Sequence, residues 1–141
     1  MSDSKYFEIS GSNITVSSIL GGIVLKDVRS NNSVNIEIDR IPRVASFLLH
    51  ALNCAQELRE MAASNEEWSQ DEMMVLEKGL NRDIGDYTLK VTRIENGSCM
   101  YVLWDQKVPM GNGLEGRVDI NEGAVLEIVT RMMVFHHKLK G

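Results

Sequence analysis

Few residues of this 141-residue chain have the types and spacing that chemistry needs. His50 stands on a helical stretch with no acid or nucleophile close to it in sequence, so it reads as a helix-surface or satisfied interfacial histidine. His136 and His137 are adjacent on another helical stretch, where neighbouring positions diverge and cannot readily share one metal. Cys54 and Cys99 have no close Cys or His partner, which fits neither a zinc site nor a disulfide framework, and both read as buried small hydrophobes. Acid pairs such as Glu66-Glu67 and Asp71-Glu72 fall in a charged segment and read as solvated. Gly21-Gly22 permits a tight turn or a bulge, but no phosphate-binding fingerprint surrounds it. These readings predict a non-enzymatic protein with no metal and no cofactor.

One set of residues does carry a surface chemistry. Lys90 and Thr92 share a strand face with Thr88, Arg93 lies beside a turn, and Tyr101, Trp104, Lys107 and Arg117 lie on or next to neighbouring strands. Cations that track a phosphate backbone, mixed with rings on which bases stack, are what sequence-tolerant binding of single strands requires. Tyr101 and Trp104 are an odd number of residues apart, so they occupy opposite strand faces and at least one of them belongs to the core.

The elements that must hold these groups read clearly in the first half. Lys5–Ile9 forms a short strand, Ile14–Ser17 and Ile23–Arg29 are β-rich runs closed by turn residues, and Val34-Asn35-Ile36-Glu37-Ile38 alternates with period two. At Asp39, a plausible cap, the period changes. Val44, Leu48, Ala51, Ala55 and Leu58 make an apolar helical stripe, with Pro42 in the first turn where its missing N–H costs nothing. The simplest packing lays that helix across the apolar face of the sheet before it.

The pattern returns. Tyr87–Arg93 alternates, Glu95-Asn96-Gly97 signals a hairpin turn, Cys99–Trp104 is an apolar and aromatic strand, and Val118-Asp119-Ile120 leads through the cap Asn121 into a stripe of Val125, Ile128, Val129, Met132, Met133 and Phe135. The junction Asn35-Ile36-Glu37-Ile38 aligns with Arg117-Val118-Asp119-Ile120. The fold class is therefore α+β, with tandem duplicated units of four strands and a helix pairing as a pseudo-dimer: residues 1–63, an acidic linker at 64–72, and residues 73–141, compact overall. Within the linker region a capping box at Ser64–Glu67 favours a helix up to Gly79, whereas the repeat favours a strand at Met73–Leu76. Trp68 is expected against the end of the first helix, Asn81–Asp86 as a polar turn, and Pro109–Gly116 as a loop.

Composition bounds the partners. Residues 1–63 hold six bases and seven acids, residues 73–141 nine of each, and the segment between them four acids and no base, giving the net charge of −5. The acidity sits in the linker and weighs less against a polyanion than the total implies. No apolar run is long enough to span a bilayer and the first residues contain no secretory signal, so the expected location is the cytoplasm, without a membrane partner.

Ile14–Ser18 followed by Gly22-Ile23-Val24-Leu25-Lys26-Asp27-Val28-Arg29, then a strand and a helix, resembles the core of the positive-cofactor-four family of single-stranded-DNA-binding transcriptional coactivators. The doubled unit is also similar to Whirly and PUR-repeat proteins. The resemblance implies transcription regulation and a strand-rich surface that holds single-stranded DNA or RNA, with Lys26 and Arg29 joining the set above, and it implies dimers or pseudo-dimers. Where that family carries lysines around a turn, this chain has Ile19-Leu20-Gly21-Gly22. A second expectation follows from this, from the net acidity and from Met73-Met74 and Met132-Met133: an adaptor or inhibitor, such as a phage or mobile element would encode, that keeps the fold and binds a protein.

Overall fold

The computed structural model describes residues 6–9, 11–64, 69–71, 80–93, 99–106 and 116–140. Four strands, β1 (Tyr6–Glu8), β2 (Ile14–Ile19), β3 (Gly22–Asp27) and β4 (Ser33–Glu37), form one antiparallel sheet in sequential order. A 3-10 turn at Ile38–Arg40 leads into helix α1 (Ile41–Ser64). The second unit repeats this order with β5 (Asn81–Ile84), β6 (Tyr87–Arg93), β7 (Cys99–Asp105), β8 (Arg117–Asn121), a 3-10 turn at Glu122–Ala124 and α2 (Val125–Lys140). The expected α+β duplication is present.

Several local expectations are corrected. Asn81–Ile84 is not a polar turn but the first strand of the second sheet, pairing with β6 from Asn81 opposite Lys90 to Ile84 opposite Tyr87. Only Gly85 and Asp86 turn, with Gly85 at φ +61°. The repeat junction also shifts by two residues. Val34 and Ile36 match Val118 and Ile120, because Ile38 has already left the strand for the 3-10 turn. Asp39 lies inside that turn and so does not cap it; Glu37 stands at the cap position without a side-chain cap. Asn121 occupies the equivalent position, but its Nδ2 donates to the Gly11 carbonyl at 3.0 Å instead of capping. The readings of Met73–Leu76, Trp68, Glu95-Asn96-Gly97 and most of Pro109–Gly116 fall outside the described residues.

Gly21-Gly22 makes a tight turn with two separate requirements. Gly21 adopts φ +85°, which favours glycine. Gly22 begins β3, where a Cβ would lie 2.1 Å from the Ile36 carbonyl oxygen, so β4 can approach only a bare backbone.

The helices do not cover their own sheets. Strand order leaves β4 at the seam beside β7 and β8, and a three-residue turn carries the chain over that edge; the two helices pack chiefly against each other, and of the strands α1 meets mainly β6 while α2 meets β2 and β3. Phe7 of β1 packs edge-on against Phe135 of α2, ring centroids 5.5 Å apart. Tyr87 of β6 donates its hydroxyl to the Asn35 carbonyl at 2.8 Å and accepts from the Glu37 amide at 3.4 Å. Near the end of α1, Arg59 forms a two-pronged ion pair with Glu122, Nη1 to Oε1 at 2.7 Å, and Glu122 also accepts the Cys99 amide at 3.1 Å. One continuous apolar core results, running through Val16, Leu25, Ile36, Leu48, Leu89, Tyr101, Ile120, Ile128 and Phe135.

Candidate nucleic-acid interface

Strand alternation sorts the second sheet into two faces. Leu89, Leu103 and Val118 lie side by side in register on the inner face, as do Tyr101 and Ile120, and all five are buried. The outer face carries Thr88, Trp104 and Arg117 in one row, Lys90, Val102 and Asp119 in the next, and Thr92, Met100 and Asn121 in the third. Lys90 is exposed, Trp104 is half-buried, and Val102 is buried beneath its neighbours.

Two contacts define the chemistry of this face. The Arg117 guanidinium lies over the Trp104 ring, 5.3 Å from its centroid, a cation–π arrangement. Arg117 is also held by Asp119, Nε to Oδ1 at 2.8 Å and Nη2 to Oδ2 at 3.1 Å. At the β5 edge Thr88 donates to Asp83 Oδ1 at 2.9 Å, and Gln106 donates to Thr88.

The structure thus brings Lys90, Trp104 and Arg117 together with Thr88 and Thr92. Tyr101 does not join them. Fully buried on the inner face, it offers no ring to a base, and burial pushes its hydroxyl pKa up. Arg93 ends β6 in register with Cys99, and Lys107 lies outside the described residues. Lys26 is exposed on the other sheet, in register with Thr15 and Ser33, and Arg29 is exposed in the turn after β3. That turn is organised by Asp27, whose Oδ1 accepts the Arg29 amide at 2.9 Å.

Sequence reading missed Asp119 and Asp83. The signal for Asp119 was its place two residues after Arg117 in a strand, which puts both side chains on one face. Cys54 and Cys99 are buried, as expected, and neither is in a disulfide. Met132 is part of the core while Met133 is exposed, so the pair is not one contact surface. Among the described residues no group of three His, Cys, Asp or Glu is placed to hold a metal, and no helix is long and apolar enough to cross a membrane. No family model, curated protein or solved structure matches this chain.

Proposed function

We propose that the protein binds single-stranded nucleic acid on the outer face of its second sheet, without catalysing a reaction, and acts in transcription regulation. The observation that carries this reading is the Trp104 ring with Arg117 laid over it, flanked by Lys90 and the hydroxyls of Thr88 and Thr92. A base stacks on the exposed part of the ring, and Lys90 and Arg117 meet phosphates. The resemblance of Ile14–Arg29 to the positive-cofactor-four core supports the same reading.

Fluorescence anisotropy with labelled single-stranded DNA and RNA oligonucleotides at low and moderate salt tests it. Micromolar or tighter binding that weakens with salt is expected. Trp104→Ala lowers affinity by roughly tenfold or more, in line with about 1–3 kcal/mol per stacked base. Asp119→Asn raises affinity, because it releases Arg117 from its ion pair. Salt-independent binding, or affinity indifferent to both substitutions, contradicts the proposal.

A second reading has its own observation. On the outer faces of the two sheets Lys26, Lys90 and Arg117 are matched by Glu8, Glu37, Asp83 and Asp119, so the faces are close to neutral. A near-neutral sheet face suits a protein partner better than a polyanion. Capture from lysate before and after nuclease separates the two, since a protein partner persists and a nucleic-acid tether vanishes.

A further inference from the structure

The second half of α1 and the start of β7 enclose a cavity that the core leaves unfilled. It measures about 140 Å³ and is lined by Ala55, Leu58 and Arg59 of α1, by Leu80, by Val91 of β6 and by Cys99 of β7. It lies on the inner side of the second sheet, apart from the outer face that carries Trp104 and Lys90. Cys99 is only 6% exposed, yet it borders space that a water-sized molecule can enter. Arg59 Nη1 stands 3.7 Å from its Sγ. That guanidinium is fixed by Glu122, whose Oε1 also accepts the Cys99 amide. Tyr101, two residues along the same strand face, is fully buried. Its hydroxyl has no hydrogen-bond partner among the described residues and is directed among Glu122, Cys99, Arg59 and Cys54. A buried hydroxyl kept without a partner costs stability, and beside a thiol and a cation it points to a polar visitor in that space.

The other cysteine has none of this. Cys54 does not line the cavity, its Sγ faces His50 Nε2 at 3.7 Å, and burial, aided by the charge of Glu57, pushes its thiol pKa up.

We infer that Cys99 is a modification site for hydrogen peroxide, which enters this cavity and oxidises the thiol to a sulfenic acid. The cavity has room for a molecule of two oxygens, and Ala55, Leu58, Leu80 and Val91 line it with apolar surface that suits a small neutral oxidant. The thiol gives its proton to solvent, and the sulfur, its negative charge countered by Arg59, attacks one peroxide oxygen. The S–O bond forms as the O–O bond breaks. The bonding pair leaves on the far oxygen, which takes up a proton and departs as water, so sulfur loses the two electrons that the peroxide gains. Burial, aided by the charge of Glu122, keeps the Tyr101 hydroxyl protonated, and it donates to the oxygen on which charge develops.

Sulfenic-acid trapping on the full chain tests this. The reduced protein is treated with hydrogen peroxide, the excess is destroyed with catalase, and the chain is unfolded in dimedone, which captures sulfenic acids. Peptide mapping by mass spectrometry then gives the rate at each cysteine. Cys99 of the folded chain is expected to acquire the adduct roughly tenfold faster than Cys54, and faster than Cys99 of the chain held in urea. Tyr101→Phe, which keeps the ring in the core, should slow Cys99 by roughly fivefold, the worth of one hydrogen bond, and change nothing in urea. Equal rates at the two cysteines, slower oxidation of Cys99 in the folded chain than in urea, or a wild-type rate in Tyr101→Phe overturns the inference.

Discussion

Tyr101 shows how a residue's type can suggest one role while its position imposes another. Its ring fills the core between Val91 and Ile120 in register, and its hydroxyl is buried with no hydrogen-bond partner among the described residues. Burial raises the hydroxyl pKa first, with the negative charge of Glu122 adding to it, so the group stays neutral over the whole working pH range. A buried hydroxyl without a partner loses its hydration and receives nothing in return. Tyr101→Phe is therefore expected to leave stability unchanged or raise it by about 1 kcal/mol, read from the urea midpoint at unchanged slope. A loss of more than about 1 kcal/mol would mean that the hydroxyl holds a stabilising contact. Trp104, three residues on and on the other face, keeps part of its ring in solvent. Period-two alternation was enough to separate the two rings in the sequence. It could not say which was inside, because that depends on which face the helix of the other unit covers.

Elements were legible wherever a single unit determined them. Val34 and Ile36 alternate because one face of β4 is buried, and the stripe of Val44, Leu48, Ala51 and Ala55 is helical for the same reason. Asn81–Ile84 was not legible, since three of its four residues are exposed and polar and only Ile84 is buried. The pairing edge of β6 makes it a strand. The contact between α1 and the lead-in to α2 was equally invisible, for Arg59 and Glu122 are 63 residues apart. There Arg59 holds the Glu122 carboxyl below its ordinary pKa of 4.5, and the Cys99 amide assists. A depressed folded-state pKa gives stability that is complete above the ordinary carboxylate range and is lost as pH falls through the folded-state value. Glu122→Gln should cost about 2 kcal/mol at neutral pH, and the gap from wild type should close as pH drops below 4.5. Urea unfolding at a series of pH values checks this, and a gap independent of pH refutes it.

For the whole molecule, the exchange of helices between units is the decisive feature, and a pair of cation–π contacts records it. Arg131 of α2 lies over Phe7 of β1, 4.2 Å from the ring centroid, and Arg82 of β5 lies over Phe47 of α1 at 5.1 Å. Phe47 stands six residues after Ile41 and Arg131 six after Val125, while Phe7 pairs with Val16 of β2 as Arg82 pairs with Leu89 of β6. The same clasp therefore occurs twice with ring and cation interchanged, as a duplicated and intertwined chain allows. Neither unit can bury its sheet alone, because the helix that would do so belongs to the other. Residues 1–64 expressed alone should consequently give no folded monomer: the fragment either lacks a cooperative unfolding transition or self-associates to supply the missing helix. Adding residues 65–141 should restore a cooperative transition at a one-to-one ratio. Circular dichroism melts combined with sedimentation measure both outcomes. A first fragment that is monomeric and melts cooperatively would show that each helix can cover its own sheet, and the intertwined packing would then not be what holds the fold together.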